Sequence, residues 1–176
     1  QNIDVFSSDI AEEMIAMGKL LWEQTVGHRI PEERAVVCAM DEIEYEPESM
    51  HVAVHSLSLQ YTKHNYRERE HGGDELICSL CTLNEVLING GIAFLSLPVG
   101  IFHDPQKFRA VCTVLRTHFG FEIVEEDSGH MQTVPGAGEP LYESYIFTLR
   151  KIGSPNIVGM SSEAWEILRF AHRVPI

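Results

Sequence analysis

MHVAVHSLSLQY, at residues 50–61, is the last of three similar stretches that decide the fold of this chain. The other two are VFSSDIAEEM at residues 5–14 and VVCAMDEIEY at residues 36–45. Each stretch predicts a β-strand that runs into an acidic or polar turn. Acids at the carboxyl ends of successive strands in an open α/β sheet lie where such sheets bind nucleotide-like ligands. No glycine-rich turn precedes them in this sequence.

The charge of the chain limits the partners that it can bind. Its 176 residues, 44% of them hydrophobic, are enough for one domain with a sizeable core. The 13 Lys+Arg against 26 Asp+Glu give a formal charge of −13, which repels nucleic-acid phosphates and disfavours a broad nucleic-acid surface. Lys63, Arg67 and Arg69 form a basic cluster, but Glu68 and Glu70 within it favour a solvated loop.

The cysteines indicate the compartment. Cys38, Cys78, Cys81 and Cys112 fall inside apolar periodic segments, which favours a reducing compartment, the cytoplasm or nucleus, over a disulfide framework. Cys78 and Cys81 have the spacing of a zinc-binding pair, but they lie in a helical pattern, so we predict core cysteines and no metal site. No apolar run approaches the roughly 18 to 20 residues that span a bilayer, so no membrane association is predicted.

Strand and helix patterns alternate along the chain. Strands are predicted at 3–7, 35–40, 51–60, 92–98, 121–126 and 143–151, and helices at 10–21, 74–89, 105–119 and 162–172. This order predicts an α/β fold with a mostly parallel sheet, closed by a C-terminal antiparallel pair across a long loop at 127–142. We expect residues 152–176 to form a tail with a short strand, NIVGM (156–160), and an amphipathic helix.

In this order, residues 1–151 resemble the class I S-adenosylmethionine-dependent methyltransferases from their second strand to their seventh. DIAEEM (9–14) resembles the family's D-[IL]-S-x-x-M pattern, and MDEI (40–43) is similar to the turn after the third strand. Residues 50–61 resemble the fourth strand, F-D-V-V-x-S-x-L-A-L-x-Y. LNEVLINGGIAFLSLP (83–98) is similar to the next helix, Gly-Gly turn and fifth strand. The order and spacing of these motifs carry the resemblance.

The resemblance implies a Rossmann-like methyltransferase sheet that is incomplete at its N-terminus. The family's first strand and its G-x-G-x-G turn are not seen ahead of Asp9. In that fold the first strand lies between the second and the fourth, so without it both neighbours have unpaired edges. We expect upstream residues or a partner chain to fill this gap; the tail acting as a permuted first strand is the least favoured alternative.

The resemblance also implies S-adenosylmethionine as the cofactor. Asp9 would accept hydrogen bonds from the ribose hydroxyls, and Asp41 from the adenine amine. Met40 or Ile43 would pack on the purine, and Ile10 and Glu42 complete the predicted cofactor-binding residues. Two simpler interpretations stay open: a helix cap for Asp9, through the D-x-x-E spacing to the acid three residues later, and a solvated turn acid for Asp41.

The predicted catalytic residues lie at and after the end of the fourth strand. His55, Ser56 and Tyr61 would border the methyl acceptor, for which RNA is the first class to test, followed by small molecules and proteins. Two departures from the family pattern, His51 for the usual Asp and Ala11 for Ser, leave a second hypothesis open: a degenerate methyltransferase fold kept as a scaffold or subunit. A nicotinamide-type dinucleotide domain is a weaker third hypothesis.

Overall fold

The computed structural model describes residues 6–9, 12–38, 45–56, 75–98, 105–124, 128–133 and 142–172. The chain divides into two compact units, Gln1–Glu44 and Tyr45–Ile176.

The first unit is a β-α-β element. It contains β1 (Ser7–Asp9), α1 (Glu12–Val26), a 3-10 turn (Glu32–Arg34) and β2 (Ala35–Val37). β1 and β2 pair in parallel, as strands connected through a helix can. Its small core consists of Ile15, Ile30 and Ala35, with Trp22 packed against it.

The second unit is a mixed sheet with three described helices. Its elements are β3 (Met50–Ser56), α2 (Glu75–Val86), β4 (Leu87–Pro98), α3 (Pro105–Phe119), β5 (Phe121–Ile123), β6 (Gly129–Thr133), β7 (Tyr142–Lys151) and α4 (Ser162–His172). The strand order is β3-β4-β7-β5, and β6 also pairs with β7. β3 and β4 are parallel, whereas β7 is antiparallel to β4, β5 and β6. α4 packs against α3.

One face of this sheet carries the core. Its buried side chains in β4, β5 and β7 are Ala93, Leu95, Phe121, Phe147 and Leu149. Phe108 of α3 stacks on Phe147 with ring centroids 5.9 Å apart, so α3 covers this face. The opposite face exposes Val52 and Val54 of β3, which pair with Ile92 and Phe94 in β4. The apolar side chains of residues 51–60 predict a strand buried on both faces, and this prediction is wrong for Val52 and Val54.

A buried amide joins three segments of the second unit. Asn84, in the last turn of α2, donates from Nδ2 to the carbonyl oxygen of Phe119 (2.8 Å) and to that of Gly153 (2.9 Å). Phe119 ends α3, and Gly153 follows β7. Gly120, directly after Phe119, has φ +64°, and a Cβ there would lie 2.2 Å from the Gly153 carbonyl oxygen. The close approach of the two chain segments therefore requires glycine at position 120.

A buried lysine lies at the same end of the sheet. Lys151 is 5% exposed, and its Nζ donates to the Leu87 carbonyl oxygen at 2.7 Å. The same Nζ lies 3.4 Å from Glu48 Oε1. Because Leu87 begins β4, these contacts are at the amino end of the parallel strands, and Ser56 lies at their carboxyl end.

The predicted fold class is confirmed: helices alternate with parallel strands, and an antiparallel part closes the C-terminus. The loop predicted at 127–142 is wrong at 129–133, which form β6. Ser128 keeps the chain close to β7 before β6, because its Oγ donates to the Val124 carbonyl at 2.7 Å and accepts from the Thr148 amide at 3.0 Å.

Two further boundaries differ from the predictions. α2 ends at Val86, and β4 begins at Leu87, so the Gly90-Gly91 pair lies inside a strand instead of ending a helix. Pairing of Met50 with Leu87, followed by a register shift, extends β4 toward its N-terminus. The strand predicted at 156–160 is a turn, in which the Met160 amide donates to the Ile157 carbonyl at 3.1 Å. Residues 152–161, all described, thus contain no strand that could serve as a permuted first strand.

Two glycine substitutions test this packing in opposite directions. Gly18→Ala should raise the free energy of unfolding by about 0.5 to 1 kcal/mol, because Gly18 is inside α1 and an added Cβ there meets no atom within 4 Å. Gly120→Ala should lower it by at least about 2 kcal/mol, through positive φ and collision with the Gly153 carbonyl. Urea denaturation followed by circular dichroism measures both. A Gly120→Ala protein as stable as the wild type would contradict the close approach.

Candidate cofactor and acceptor site

Asp9 is the last residue of a parallel strand. It pairs with Val37 in β2, and α1 begins at Glu12. A capping box would place Asp9 directly before the helix, with Glu12 at the third helical position. Residues 10 and 11 lie outside the described residues, so the bounds of β1 and α1 leave both interpretations of Asp9, strand-end ligand and helix cap, open. Open α/β sheets bind their ligands at this place, between the end of a parallel strand and the helix that follows it.

The other predicted cofactor residues lie outside the described residues. These are Ile10, Met40, Asp41 and Glu42. Tyr61, a predicted acceptor-site residue, also lies outside them. β2 is described to Val37, so its predicted continuation to residue 40 is described only in part.

His55 and Ser56 are at the carboxyl end of β3. In the parallel pairing, His55 lies opposite Leu95 and Ser56 opposite Ser96. This register adds Ser96, which was not predicted from the sequence, to the candidate residues. Its signal in the sequence is a polar residue at the end of the apolar run IAFL. Neighbouring residues at the carboxyl ends of parallel strands line the ligand crevice of such sheets.

His51, which stands where the family pattern has Asp, lies away from these strand ends. His51 is exposed near the start of β3, and Ser56 ends the strand. At roughly 3.3 Å per residue, the two backbone positions are about 16 Å apart. The replacement of Asp by His at this position therefore leaves the carboxyl end of β3 unaltered.

Comparisons with known proteins relate this geometry to a fold. No protein-family model matches the chain, and no curated protein sequence matches it significantly. Among solved structures, a protein from Bacillus halodurans assigned as a methyltransferase is similar at a TM-score of 0.56 and 13% identity, over 85% of this chain and 83% of that one. A protein studied for the conversion of a disulfide into a thioacetal in echinomycin biosynthesis gives 0.55 and 12%, over 98% of this chain and 74% of that one.

A third solved structure was determined with ligands. It is the 1,6-didemethyltoxoflavin-N1-methyltransferase of Burkholderia thailandensis, bound to 1,6-didemethyltoxoflavin and S-adenosylhomocysteine. Its TM-score is 0.52 at 17% identity, over 85% of this chain and 62% of that one. This chain has the class I methyltransferase fold. The likeness, together with the order of strands and helices, confirms the predicted resemblance at the level of the fold.

In this methyltransferase fold, Cys78 and Cys81 occupy the middle of α2. Burial of Cys81, together with Cys78 and Glu85 nearby, raises the pKa of its thiol to about 11. Since the thiolate is the form that binds metals, the neutral Cys81 is a poor ligand at physiological pH. None of the four cysteines, all of which are described, forms a disulfide. Across the described ranges no group of three or more His, Cys, Asp and Glu side chains could hold a metal ion.

A shallow groove of about 190 Å³ lies between α3 and α4, lined by Thr113, Thr117, His118, Ser161, Glu163 and Ile167 among others. It follows the C-terminal half of α3, which leads into β5 near Lys151. The groove is therefore at the opposite end of the sheet from His55 and Ser56 and is not part of the candidate site.

No helix in the described part of the chain is long and apolar enough to cross a membrane.

The raised pKa of Cys81 predicts slow alkylation. Below pH 9.5 its rate of modification by iodoacetamide should rise about tenfold per pH unit without levelling, because the thiolate fraction keeps growing toward a pKa of about 11. A model thiol of pKa about 8.5 levels off in this range and serves as the control. Peptide mass spectrometry assigns the modified residue. A rate for Cys81 that levels below pH 9 would show that the thiol is not desolvated.

Proposed function

We propose that this chain is an S-adenosylmethionine-dependent methyltransferase domain. The observation that carries the proposal is the position of Asp9, the last residue of parallel strand β1 ahead of α1, in a chain with the class I methyltransferase fold. The neighbour with bound S-adenosylhomocysteine supports the choice of cofactor. The proposed boundaries are residues 1–151 for the methyltransferase domain and 152–176 for the tail, in a reducing intracellular compartment.

The residues divide between holding the cofactor and placing the acceptor. The Asp9 carboxylate would accept from the two ribose hydroxyls, with Asp41 toward the adenine amine and Ile10, Met40 and Glu42 beside them. His55, Ser56 and Tyr61 would orient the acceptor. S-adenosylmethionine supplies an already activated methyl group. The protein therefore contributes mainly binding and alignment of the two reactants.

The acceptor class proposed from the sequence is RNA. The formal charge of −13 means that RNA would need a local basic site, because the whole chain repels phosphates. A small-molecule acceptor is the second candidate, and both the charge and the small-molecule methyltransferase among the structural neighbours favour it.

We also propose that a further segment, from upstream residues or a partner chain, completes the sheet. Among the described residues, β1 pairs with β2 and β3 with β4, and neither has a partner on its other edge. β3 carries the sequence MHVAVHS, which contains no acidic or basic residue other than histidine. An uncharged strand edge of this length readily pairs with another strand, which upstream residues or a partner chain would supply.

The second candidate function is a methyltransferase fold kept as a scaffold or subunit. The exposed apolar side chains of β3, with Val54 76% exposed, favour it because they are suited to contact with another protein. Binding of S-adenosylmethionine separates the two functions, since a scaffold has no need to retain it.

Cofactor binding is tested by calorimetric titration of the full-length protein with S-adenosylmethionine. We expect saturable binding that Asp9→Ala weakens by about 10- to 100-fold, the loss expected for hydrogen bonds to a charged group. Glu33→Gln, an exposed acid in the same unit, should leave the affinity unchanged. Absence of heat with a folded protein would overturn the enzyme proposal in favour of the scaffold. Binding that Asp9→Ala leaves unaltered would overturn only the role of Asp9.

The acceptor site is tested by transfer of a radiolabelled methyl group. Total RNA and a small-molecule extract are offered separately, and label should enter the RNA fraction if that acceptor is correct. His55→Ala should reduce kcat at least about tenfold, the lower range for a positioned catalytic group, and leave the S-adenosylmethionine Kd within about twofold. Label confined to the small-molecule fraction would show that the acceptor is a small molecule and not RNA. Equal loss of kcat and cofactor affinity would contradict an acceptor-side role for His55.

A further inference from the structure

The helix of the first unit exposes a continuous apolar surface. Met14 and Met17 are 53% exposed, and Leu20 and Leu21 are 55% exposed. These four side chains are called the α1 stripe below. Scattered apolar residues are ordinary on a protein surface, but four large neighbours on one helix are a contiguous patch of the kind that marks a binding surface.

Helical geometry shows that the α1 stripe is a second face and not the edge of the core. At 100° per residue the four side chains fall within a sector of about 120°. Ile15 and Trp22 point to the other side of the helix, where they meet the small core of the first unit. The helix thus packs on β1 and β2 with one face and presents the α1 stripe with another. Met14, Met17 and Leu21 have the spacing of helix-packing positions.

The charges around the α1 stripe are mostly negative. Glu13, in the first turn of α1, falls within the sector of the α1 stripe, and the last turn of α1 has no basic residue. Lys19 is paired with Glu32 in the same unit. A helical partner would therefore meet an apolar ridge with acidic neighbours, on a chain whose formal charge is −13.

These properties select among the occupants of the surface. A second copy of the chain would bring another 13 negative charges, and this repulsion disfavours self-association through the α1 stripe. We propose that the α1 stripe binds an amphipathic helix of a partner protein, with leucine-like residues on one face and basic residues at the edges of that face. Flexible methionine side chains suit such a surface because they adapt to the helix that packs on it. This interaction is separate from methyl transfer.

A synthetic peptide can test the proposal without knowledge of the natural partner. The probe is a fluorescently labelled 18-residue amphipathic peptide of leucine and lysine, and its counterpart has glutamate in place of lysine. Fluorescence anisotropy with the full-length protein should show saturable binding of the basic peptide and none of the acidic one. The double variant Met17→Gln/Leu21→Gln should weaken binding at least about tenfold, which is about 1.4 kcal/mol.

Ala16→Gln is the matched control, because Ala16 is exposed on α1 outside the α1 stripe. It should bind the basic peptide within about twofold of the wild type, and circular dichroism should show the same helix content for all three proteins. Equal binding of the double variant and the wild type would mean that charge alone attracts the peptide, which overturns the proposal. Absence of saturable binding overturns it as well. Sedimentation that shows a dimer abolished by the double variant would assign the surface to a second copy instead.

Discussion

The second unit depends on the hydrogen bonds of one buried side chain, Asn84. Its amide group reaches two carbonyls that are 35 and 69 residues away along the chain, at Phe119 and Gly153. The last carbonyls of a helix have no partner within the helix, and a buried carbonyl without one costs roughly 1 to 3 kcal/mol. Asn84 satisfies the carbonyl at the end of α3 and holds the turn after β7 against it. This contact places α2, α3 and the antiparallel strand in one packing arrangement, for which Gly120 provides the space.

The same arrangement separates stability from ligand chemistry. Asn84 and Lys151 make their buried contacts at the amino end of the parallel strands, where α2 leads into β4. His55, Ser56 and Ser96 lie at the carboxyl end of β3 and β4, the end at which open α/β sheets bind ligands. The polar groups that hold the fold together are therefore not the groups proposed for methyl transfer, and either set can be altered without direct loss of the other.

The exposed apolar surfaces of the two units have a common physical cause, because in each unit an element with two apolar faces is packed on only one of them. Parallel strands are stable when helices cover both faces of the sheet, whereas α3 covers one face here and Val52 and Val54 are exposed on the other. In the first unit α1 packs on β1 and β2 with one side and exposes the α1 stripe with another. The proposed partner helix would remove the α1 stripe from water, and burial of apolar surface stabilises a complex by roughly 25 cal/mol per Å².

The sequence by itself determined the order of strands and helices and the fold class, because hydrophobic periodicity and turn acids are local properties. Only the tertiary structure decided what depends on pairing between distant residues. The start of β4 at Leu87 follows from its contact with Met50, and β6 exists because residues 129–133 find β7 as a partner inside a segment whose composition is that of a loop. The buried roles of Asn84 and Lys151 and the exposure of the α1 stripe were equally invisible in the sequence. A polar side chain is buried only where folding brings an acceptor to it, and an apolar one stays exposed only where nothing packs on it.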